Sequence, residues 1–399
     1  MFEREWNMYK IQTLNAISDI IHQHLSAEKY LIAKDEPVPD GVLVRSADMH
    51  CLELPQSLLA IARAGAGTNN VPIDRCNKQG IVVFNTPGAN ANAVAELVVC
   101  GLMLGSRNIV GGIVWAQTLK GLKEQVPALV EKGKNQFVGP EVRGKTLGVV
   151  GLGAIGAIVA NAAELGLGME VIGYDPFISV ESAWALSSSI RRCNDRDELF
   201  AQADYITLHV PLGEKTRSLV DAETIAKMKD GVHLLNFSRA ELVDTAALIA
   251  ALESGKVASY VTDFPVEDII GVPNAVVIPH LGASTPESEE NCAHMAARQL
   301  RDYLERGQIR NSVNFPEIML GSCVGYRVLV IHENVPSMVS AISSAIGERG
   351  INIDNMQNKS RKENAITVLE LDDHPPESLV AEIRALPGVI RVRTFEPEM

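Results

Sequence analysis

From Lys145 to Leu281 the sequence alternates short apolar, β-branched runs with segments of helical pattern. The runs are TLGVVG, MEVIGYD, ADYITLHVP, VHLLNFS, SYVTDF and AVVIPHL. Nearly continuous apolar strands separated by helices are typical of parallel sheets that are covered on both faces. The pattern therefore predicts repeated βαβ units and a doubly wound parallel sheet of the α/β class.

The first of these strands ends in a glycine pattern that is typical of dinucleotide-binding proteins. Gly151, Gly153 and Gly156 form G-x-G-x-x-G directly after TLGVV, where a helical segment begins. In this context the glycines permit a tight turn, a close approach to a pyrophosphate and close packing of helix on strand. Nineteen residues beyond Gly156, Asp175 ends the next strand.

A carboxylate at the position of Asp175 accepts hydrogen bonds from the ribose hydroxyls of a dinucleotide and repels a 2′-phosphate. The motif and Asp175 together predict that the chain binds NAD rather than NADP. The alternative is that the glycines only pack a βα turn and that Asp175 caps the next loop.

The regions on either side predict two further parts of the chain. The first ninety residues mix strands and helices without a phosphate-binding glycine pattern, and a long amphipathic helix is predicted over 286–307. We expect a discontinuous substrate-binding domain of residues 1–89 and 283–318 around an NAD-binding domain of residues 90–282. Residues 324–399 follow the order strand, helix, strand, strand, helix, strand, which predicts a ferredoxin-like domain.

Composition limits the class of protein. A chain of 399 residues is long enough for two or three domains, and a net charge of −13 opposes binding to nucleic acid or to an anionic membrane. The six cysteines show no metal-ligand spacing, and the segment MFEREWNMYK lacks the apolar stretch of a secretory signal. The longest apolar stretch, residues 94–104, predicts a buried helix. We expect a cytoplasmic protein without a bound metal, acting on a small molecule.

Three charged or titratable residues follow predicted strands, where open α/β sheets place their ligands. Arg239 has the planar fork that binds a carboxylate, and His280 is able to exchange a proton with a hydroxyl. Glu267 would hold the imidazole in one tautomer and stabilise its cation. Taken singly, they have ordinary alternatives: a surface ion pair, a solvated loop charge and a core histidine bonded to backbone.

With these residues in place, the chain resembles the D-isomer-specific 2-hydroxyacid dehydrogenases along nearly its whole length. Matching stretches include RAGAGTNNV, FNTPGANANAVAEL, GKTLGVVGLGAIG, LHVPL, NFSRAELVD, IPHLGAST and HENVPSM. The resemblance implies a Rossmann-type NAD domain, a flavodoxin-like substrate domain and a C-terminal ACT domain. It is greatest to the members that oxidise 3-phospho-D-glycerate to 3-phosphohydroxypyruvate, the first step of phosphorylated L-serine biosynthesis, as homodimers or homotetramers.

The resemblance also implies a set of site residues. The catalytic set is Arg239, Glu267 and His280. The cofactor-binding positions are Gly151, Gly153, Ala154, Ile155, Gly156, Asp175, His209, Val210, Pro211, Ser238, Asp263 and Gly282, with Asp263 at the nicotinamide end. The substrate-binding positions are Arg45, Ser46, Ala66 and Gly67, together with Arg239 and His280. In the ACT domain the L-serine effector would contact His332, Asn334 and Asn352.

Two departures from the family pattern bear on these assignments. The segment DFPVE is one residue shorter than the usual D-V-F-x-x-E, so Asp268 competes with Glu267 as the partner of His280. Ser337 stands where H-E-N-x-P-G has its glycine, which leaves a domain used only for assembly as an alternative to serine control.

Two other functions remain open at this point. The first is a glyoxylate or hydroxypyruvate reductase, although such enzymes ordinarily lack a C-terminal domain. The second is an NAD-sensing scaffold that binds partner proteins. Retention of the three catalytic candidates favours an enzyme.

Overall fold

The computed structural model describes residues 8–321 and 324–397, so most of the N-terminal segment quoted above and Cys323 lie outside the described residues. The chain forms two compact units. One contains the chain up to Asn90 and from Glu289 onward, and the other is Ala91–Ser288. The three-domain division of the sequence, with its limits, stays a prediction.

The first unit contains a parallel sheet of five strands in the order β2-β1-β3-β4-β5. This is the flavodoxin-like order, as predicted. The strands and the first helix are β1 (Tyr9–Leu14), β2 (Tyr30–Ala33), β3 (Gly41–Val44), β4 (Ala60–Arg63), α1 (Ile73–Gln79) and β5 (Val82–Phe84). The central strand β3 has the sequence GVLV and is buried at every position, since both faces of the sheet are covered.

The second unit contains a parallel sheet of seven strands in the order β12-β11-β10-β9-β6-β7-β8, which confirms the doubly wound fold. The strands are β6 (Thr146–Val150), β7 (Glu170–Tyr174), β8 (Arg191–Arg192), β9 (Tyr205–Leu208), β10 (Val232–Asn236), β11 (Val257–Thr262) and β12 (Ala275–Val277). The helices are α2 (Ala91–Ser106), α3 (Ile109–Thr118), α4 (Val126–Gly133), α5 (Ala154–Asn161), α6 (Val180–Trp184), α7 (Arg196–Gln202), α8 (Ala222–Lys227) and α9 (Thr245–Ser254).

The apolar stretch 94–104 forms most of α2, as predicted. Val98 and Leu102 are fully buried on this helix and share a core with Val149 of β6 and Val261 of β11. Within the described ranges, no single helix combines the length and apolarity needed to cross a bilayer; only α2 and α3 taken together, a pair bent by 67°, reach them by length and composition.

The C-terminal sheet is antiparallel with the order β14-β15-β13-β16, and two helices connect its strands in the predicted ferredoxin-like order. The long helix α10 (Pro286–Arg306) precedes it. The elements are β13 (Tyr326–Glu333), α11 (Met338–Gly347), β14 (Ile353–Arg361), β15 (Asn364–Leu371), α12 (Glu377–Arg384) and β16 (Val389–Phe395).

Both faces of this sheet are covered. Successive side chains of a strand point to opposite faces, so the residues of β13 pack alternately into two cores. Val328 and Val330 of β13 pack in one core with the helices α11 and α12. Leu329 and Ile331 of the same strand belong to the core of the first sheet, which also contains Tyr303 of α10. The C-terminal sheet and the five-stranded sheet therefore share apolar core.

Arg327 is the largest fully buried side chain at the junction of these parts. Its guanidinium donates to Glu370 Oε1 at 2.6 Å and to the carbonyls of Arg306 at 2.7 Å and Gly321 at 3.1 Å. Removing one partner of such a pair leaves the other carrying an uncompensated charge in a partly buried site.

We expect Arg327→Met to lower the free energy of unfolding by about 3 kcal/mol, measured by urea unfolding. Arg349→Met is the matched control, because the Arg349–Glu382 pair is of equal length, 2.6 Å, but is exposed. Its loss should cost less than about 1 kcal/mol. Equal effects of the two substitutions would contradict the prediction.

Candidate active site

The candidate residues of the second unit lie at one edge of its sheet. Each follows the carboxyl end of a parallel strand: Asp175 follows β7, Gly151 follows β6, His209 follows β9, Ser238 and Arg239 follow β10, Asp263 follows β11, and His280 follows β12. These strands are neighbours in the sheet. Open α/β sheets bind their ligands at this edge, so the topology brings together residues that are far apart in sequence.

The glycine turn has the geometry that the motif predicts. Gly151 has a φ of 94°, and a Cβ atom there would lie 2.5 Å from the carbonyl oxygen of His209. A Cβ at Gly156 would lie 1.9 Å from the carbonyl oxygen of Gly151. Only glycine fits either position. Gly153 is exposed with open space beside it, and Ala154 and Ile155 begin α5, so an anion has access to the start of this helix.

Asp175 is tied to the glycine turn. Its Oδ2 accepts a hydrogen bond from the Leu152 amide at 2.9 Å, and its Oδ1 accepts one from the Phe177 amide at 2.8 Å. A carboxylate has about four acceptor positions, so lone pairs remain for ribose hydroxyls. The residue therefore has the capping contacts of the alternative interpretation, and its role toward a ribose stays a prediction.

The surroundings of His209 favour its neutral imidazole. Burial lowers the pKa of its imidazole to about 4. Its Nε2 lies 2.9 Å from Thr207 Oγ1, whereas its Nδ1 is buried and has no partner in the described part of the chain. Val210 and Pro211 follow it, half-buried and exposed respectively. An unpartnered ring nitrogen is available to a bound molecule.

The turn after β10 is held by Asn236, a residue for which the sequence carries no site signal. The Asn236 side chain is fully buried and donates to the carbonyl of Arg239 at 2.8 Å, while its Oδ1 accepts from the amide of Ser238 at 3.2 Å. Ser238 Oγ donates to the Leu208 carbonyl at 2.7 Å. The Arg239 side chain is left exposed at the edge of the sheet.

Asp263 is the buried carboxylate of the site, with 1% of its surface exposed. Its Oδ2 accepts from the amide of Gly282 at 2.9 Å, and its Oδ1 is buried without a partner among the described residues. Burial raises the pKa of this carboxyl, while the Gly282 amide and the nearby charges of His280 and Arg239 act in the opposite direction. An amide N–H₂ group of a ligand would satisfy Oδ1.

These observations fit a dinucleotide. The open turn suits a pyrophosphate, Asp175 suits a ribose, and the unpartnered atoms of His209 and Asp263 suit polar groups along such a ligand. The sequence motif alone does not show these two unpartnered atoms.

His280 has a φ of 42°, which is uncommon for a residue other than glycine. Its backbone amide donates to the carbonyls of Asp263 at 2.9 Å and Ile278 at 3.0 Å. The imidazole is exposed and contacts the ring of Phe264, with centroids 4.6 Å apart. The guanidinium of Arg239 lies 5.5 Å from the centroid of the same ring.

The structure does not bring Glu267 to His280. Glu267 and Asp268 are both exposed, and within the described ranges neither forms a hydrogen bond or ion pair with the imidazole. The physical reason is the short loop, since a 3-10 helix already begins at Glu267 and buries Ile269. Which acid orients His280 therefore stays a prediction.

The predicted substrate residues of the first unit follow β3 and β4. The Arg45 guanidinium forms an ion pair with Glu289 at 2.6 Å, and the Ser46 amide donates to Asn15 Oδ1 at 3.0 Å. The Ala66 carbonyl accepts from Asn85 at 2.7 Å, and the adjacent Gly67 is half-buried. Arg45 would have to exchange Glu289 for a substrate anion.

Within the described part of the C-terminal domain, no hydrogen bond joins the predicted effector residues to one another. His332 is buried, with Nδ1 2.7 Å from the Glu333 carbonyl and Nε2 2.8 Å from Thr367 Oγ1, and burial lowers its pKa. Both ring nitrogens are therefore already engaged, and a contact of His332 with an effector stays a prediction. Asn334 and Asn352 are exposed. Ser337 adopts the left-handed conformation that favours glycine, with a φ of 66°.

Comparison with known proteins agrees with this architecture. Residues 113–282 match the family model of the D-isomer specific 2-hydroxyacid dehydrogenase NAD binding domain, and residues 326–388 match the ACT domain. A Synechocystis D-3-phosphoglycerate dehydrogenase is 38% identical over 70% of this chain, which spans about half (50%) of that relative's length. The Escherichia coli K12 D-3-phosphoglycerate dehydrogenase is 33% identical over 85% of this chain and 82% of its own length.

Among solved structures, the NAD⁺-bound 3-phosphoglycerate dehydrogenase of Entamoeba histolytica superposes with a TM-score of 0.58. It is 29% identical, and the alignment covers 77% of this chain and 99% of that one. Since the sequence similarity extends over most of both chains in the Escherichia coli relative, this protein belongs to the D-isomer-specific 2-hydroxyacid dehydrogenase family.

Proposed function

We propose that this chain uses NAD to oxidise 3-phospho-D-glycerate to 3-phosphohydroxypyruvate, the first step of phosphorylated L-serine biosynthesis. The observation that carries the proposal is the grouping of Arg239, Asp263 and His280 at one sheet edge with a glycine turn that fits a dinucleotide. The relatives named D-3-phosphoglycerate dehydrogenase and the C-terminal ACT match support the choice of substrate.

Each residue would have one role in the proposed oxidation. Arg239 binds the substrate carboxylate through its planar fork and orients C2. His280 takes the proton of the C2 hydroxyl during oxidation and returns it during reduction. Bound NAD supplies the acceptor for the hydride that leaves C2. Asp263 accepts a hydrogen bond from the nicotinamide end, and Glu267 is the proposed stabiliser of the His280 cation.

The rest of the proposed cofactor site holds the dinucleotide. The backbone from Gly151 to Gly156, including Ala154 and Ile155, binds the pyrophosphate, and Asp175 binds the adenosine ribose. His209, Val210 and Pro211 line the adenosine side, while Ser238 and Gly282 shape the turns next to it. The resemblance implies that Arg45, Ser46, Ala66 and Gly67 also bind the substrate anion.

Initial rates with NAD and a panel of 2-hydroxy acids, each with and without its phosphate, test the proposal. We expect kcat/KM to be highest for 3-phosphoglycerate. A preference for glyoxylate or hydroxypyruvate in the reverse direction would instead support a reductase, and binding of NAD without turnover of any substrate would support an NAD-sensing scaffold.

Cofactor choice gives a separate prediction at Asp175. Asp175→Ala should weaken NAD binding and allow use of NADP, because the charge that repels a 2′-phosphate is lost. Asp175→Asn removes the charge and keeps an oxygen acceptor for one of the amides of Leu152 and Phe177, because its second side-chain position is an NH2 donor. Rates measured with both cofactors should show NADP use in both variants, whereas unchanged preference in Asp175→Asn would mean that charge does not select the cofactor.

The ACT domain is proposed to bind L-serine as a regulator, with Asn334 and Asn352 as exposed contacts. His332 would join them only if its present hydrogen bonds were exchanged. Repeating the substrate panel with added serine tests the regulation. Size-exclusion chromatography with light scattering tests the proposed homodimer or homotetramer.

A further inference from the structure

The ring of Phe264 contacts both of the side chains that the proposed function places in the reaction, Arg239 and His280. Its centroid is 4.6 Å from that of the His280 imidazole, with the planes inclined by 45°. The Arg239 guanidinium carbon lies 5.5 Å from the same centroid. Arg239 and His280 are 41 positions apart in sequence, and one aromatic ring contacts both.

The backbone fixes the position of this ring. The Phe264 amide donates to Thr262 Oγ1 at 3.0 Å, and the hydroxyl of that buried threonine donates to the Asn236 carbonyl at 2.8 Å. Asn236 also holds the turn that carries Arg239. On the other side, the His280 amide donates to the carbonyl of Asp263, the residue before Phe264. The ring and both of its neighbours therefore belong to one hydrogen-bonded set of turns.

The charges in the site give the Phe264 ring a specific role, the stabilisation of a cationic His280 imidazole. In the proposed reaction His280 becomes a cation close to the permanently charged Arg239, and two like charges repel. The face of an aromatic ring attracts cations. No carboxylate side chain in the described residues hydrogen-bonds or ion-pairs with the imidazole, and the loop that would present Glu267 is short.

We propose that Phe264 is a positioning residue: its ring orients the His280 imidazole and also contacts the Arg239 guanidinium while His280 carries the transferred proton. This inference rests on the proposed dehydrogenase function. In this chain the Phe264 ring contributes to the orientation of the His280 imidazole, a role that the sequence pattern assigns to an acid.

Three substitutions distinguish the effect of the aromatic face from the effect of side-chain volume. Phe264→Leu keeps most of the apolar volume and removes the aromatic face, Phe264→Tyr keeps the face, and Trp184→Leu removes an exposed aromatic side chain elsewhere in the same unit. We expect Phe264→Leu to lower kcat about 3- to 30-fold with little change in the KM for NAD. Phe264→Tyr and Trp184→Leu should remain near the wild-type rate.

A second measurement reports on the contact itself. The ring current of Phe264 should displace the imidazole C–H signals of His280 in the NMR spectrum, which are assigned by their loss in His280→Gln. We expect these signals to move in Phe264→Leu and to stay in place in Phe264→Tyr.

With active wild-type protein, the proposal is overturned if the kcat of Phe264→Leu equals that of the wild type. It is also overturned if the kcat of Phe264→Tyr falls as far as that of Phe264→Leu, or if the His280 NMR signals do not move in Phe264→Leu. Absence of turnover in the wild type, with every 2-hydroxy acid tried, would reject the proposed function instead. Melting temperatures of the variants show whether a lower rate reflects loss of folded protein.

Discussion

His280→Ala is expected to lower kcat on the order of 10²-fold or more, with NAD affinity little changed. The reason is that the imidazole is the only proposed proton acceptor for the C2 hydroxyl, while the cofactor-binding groups other than Gly282 follow other strands. Steady-state rates with 3-phosphoglycerate measure the first quantity, and NAD titration by calorimetry measures the second.

The control for this substitution is His22→Ala, which removes an exposed imidazole outside the site. It should leave both quantities unchanged. Near-normal turnover of His280→Ala would reject the role of His280 as general base. A large loss of NAD affinity would show instead that the substitution disturbs the turn, whose left-handed backbone at residue 280 is held by the Asp263 carbonyl.

Arg239→Met should reduce kcat/KM on the order of 10²- to 10³-fold, because the substrate carboxylate loses its bidentate charged partner. Arg239→Lys should recover only part of this loss, since an ammonium lacks the planar fork. The measurement is initial-rate kinetics with substrate varied at saturating NAD.

Arg192→Met, at an exposed arginine in β8, is the matched control for the loss of one positive charge. It should change kcat/KM little. If Arg192→Met reduced activity as far as Arg239→Met, the effect would come from the field of the whole protein rather than from a contact with the carboxylate.

Much of the architecture was predictable because it depends on local patterns. Continuous apolar runs such as TLGVV and VHLLN report strands buried on both faces, and each of them is a strand in the structure. The glycine motif was equally predictable, since its three glycines lie within six residues, whereas the carbonyl of His209 that excludes a side chain at Gly151 is distant in sequence. The two-residue strand β8 was missed because Arg191 and Arg192 are exposed and carry no apolar signal.

The candidate site was only partly predictable. The strand-end positions of Arg239 and His280 followed from the sequence, because parallel strands present their carboxyl ends at one edge, whereas Asp263 was predicted from the family resemblance. The contacts of Phe264, the supporting role of Asn236 and the separation of Glu267 from His280 did not follow. They depend on loop conformations and rotamers that residue spacing does not encode.

The sequence by itself determined the strands, the glycine turn, the family resemblance and the identity of the charged groups, since each depends on residue type and short-range spacing. Only the tertiary structure decided that His332 is buried beside Thr367, that the C-terminal sheet shares a core with the first sheet, and that one aromatic ring joins Arg239 and His280. The physical reason is that these contacts join residues far apart in the chain, so packing rather than periodicity selects them.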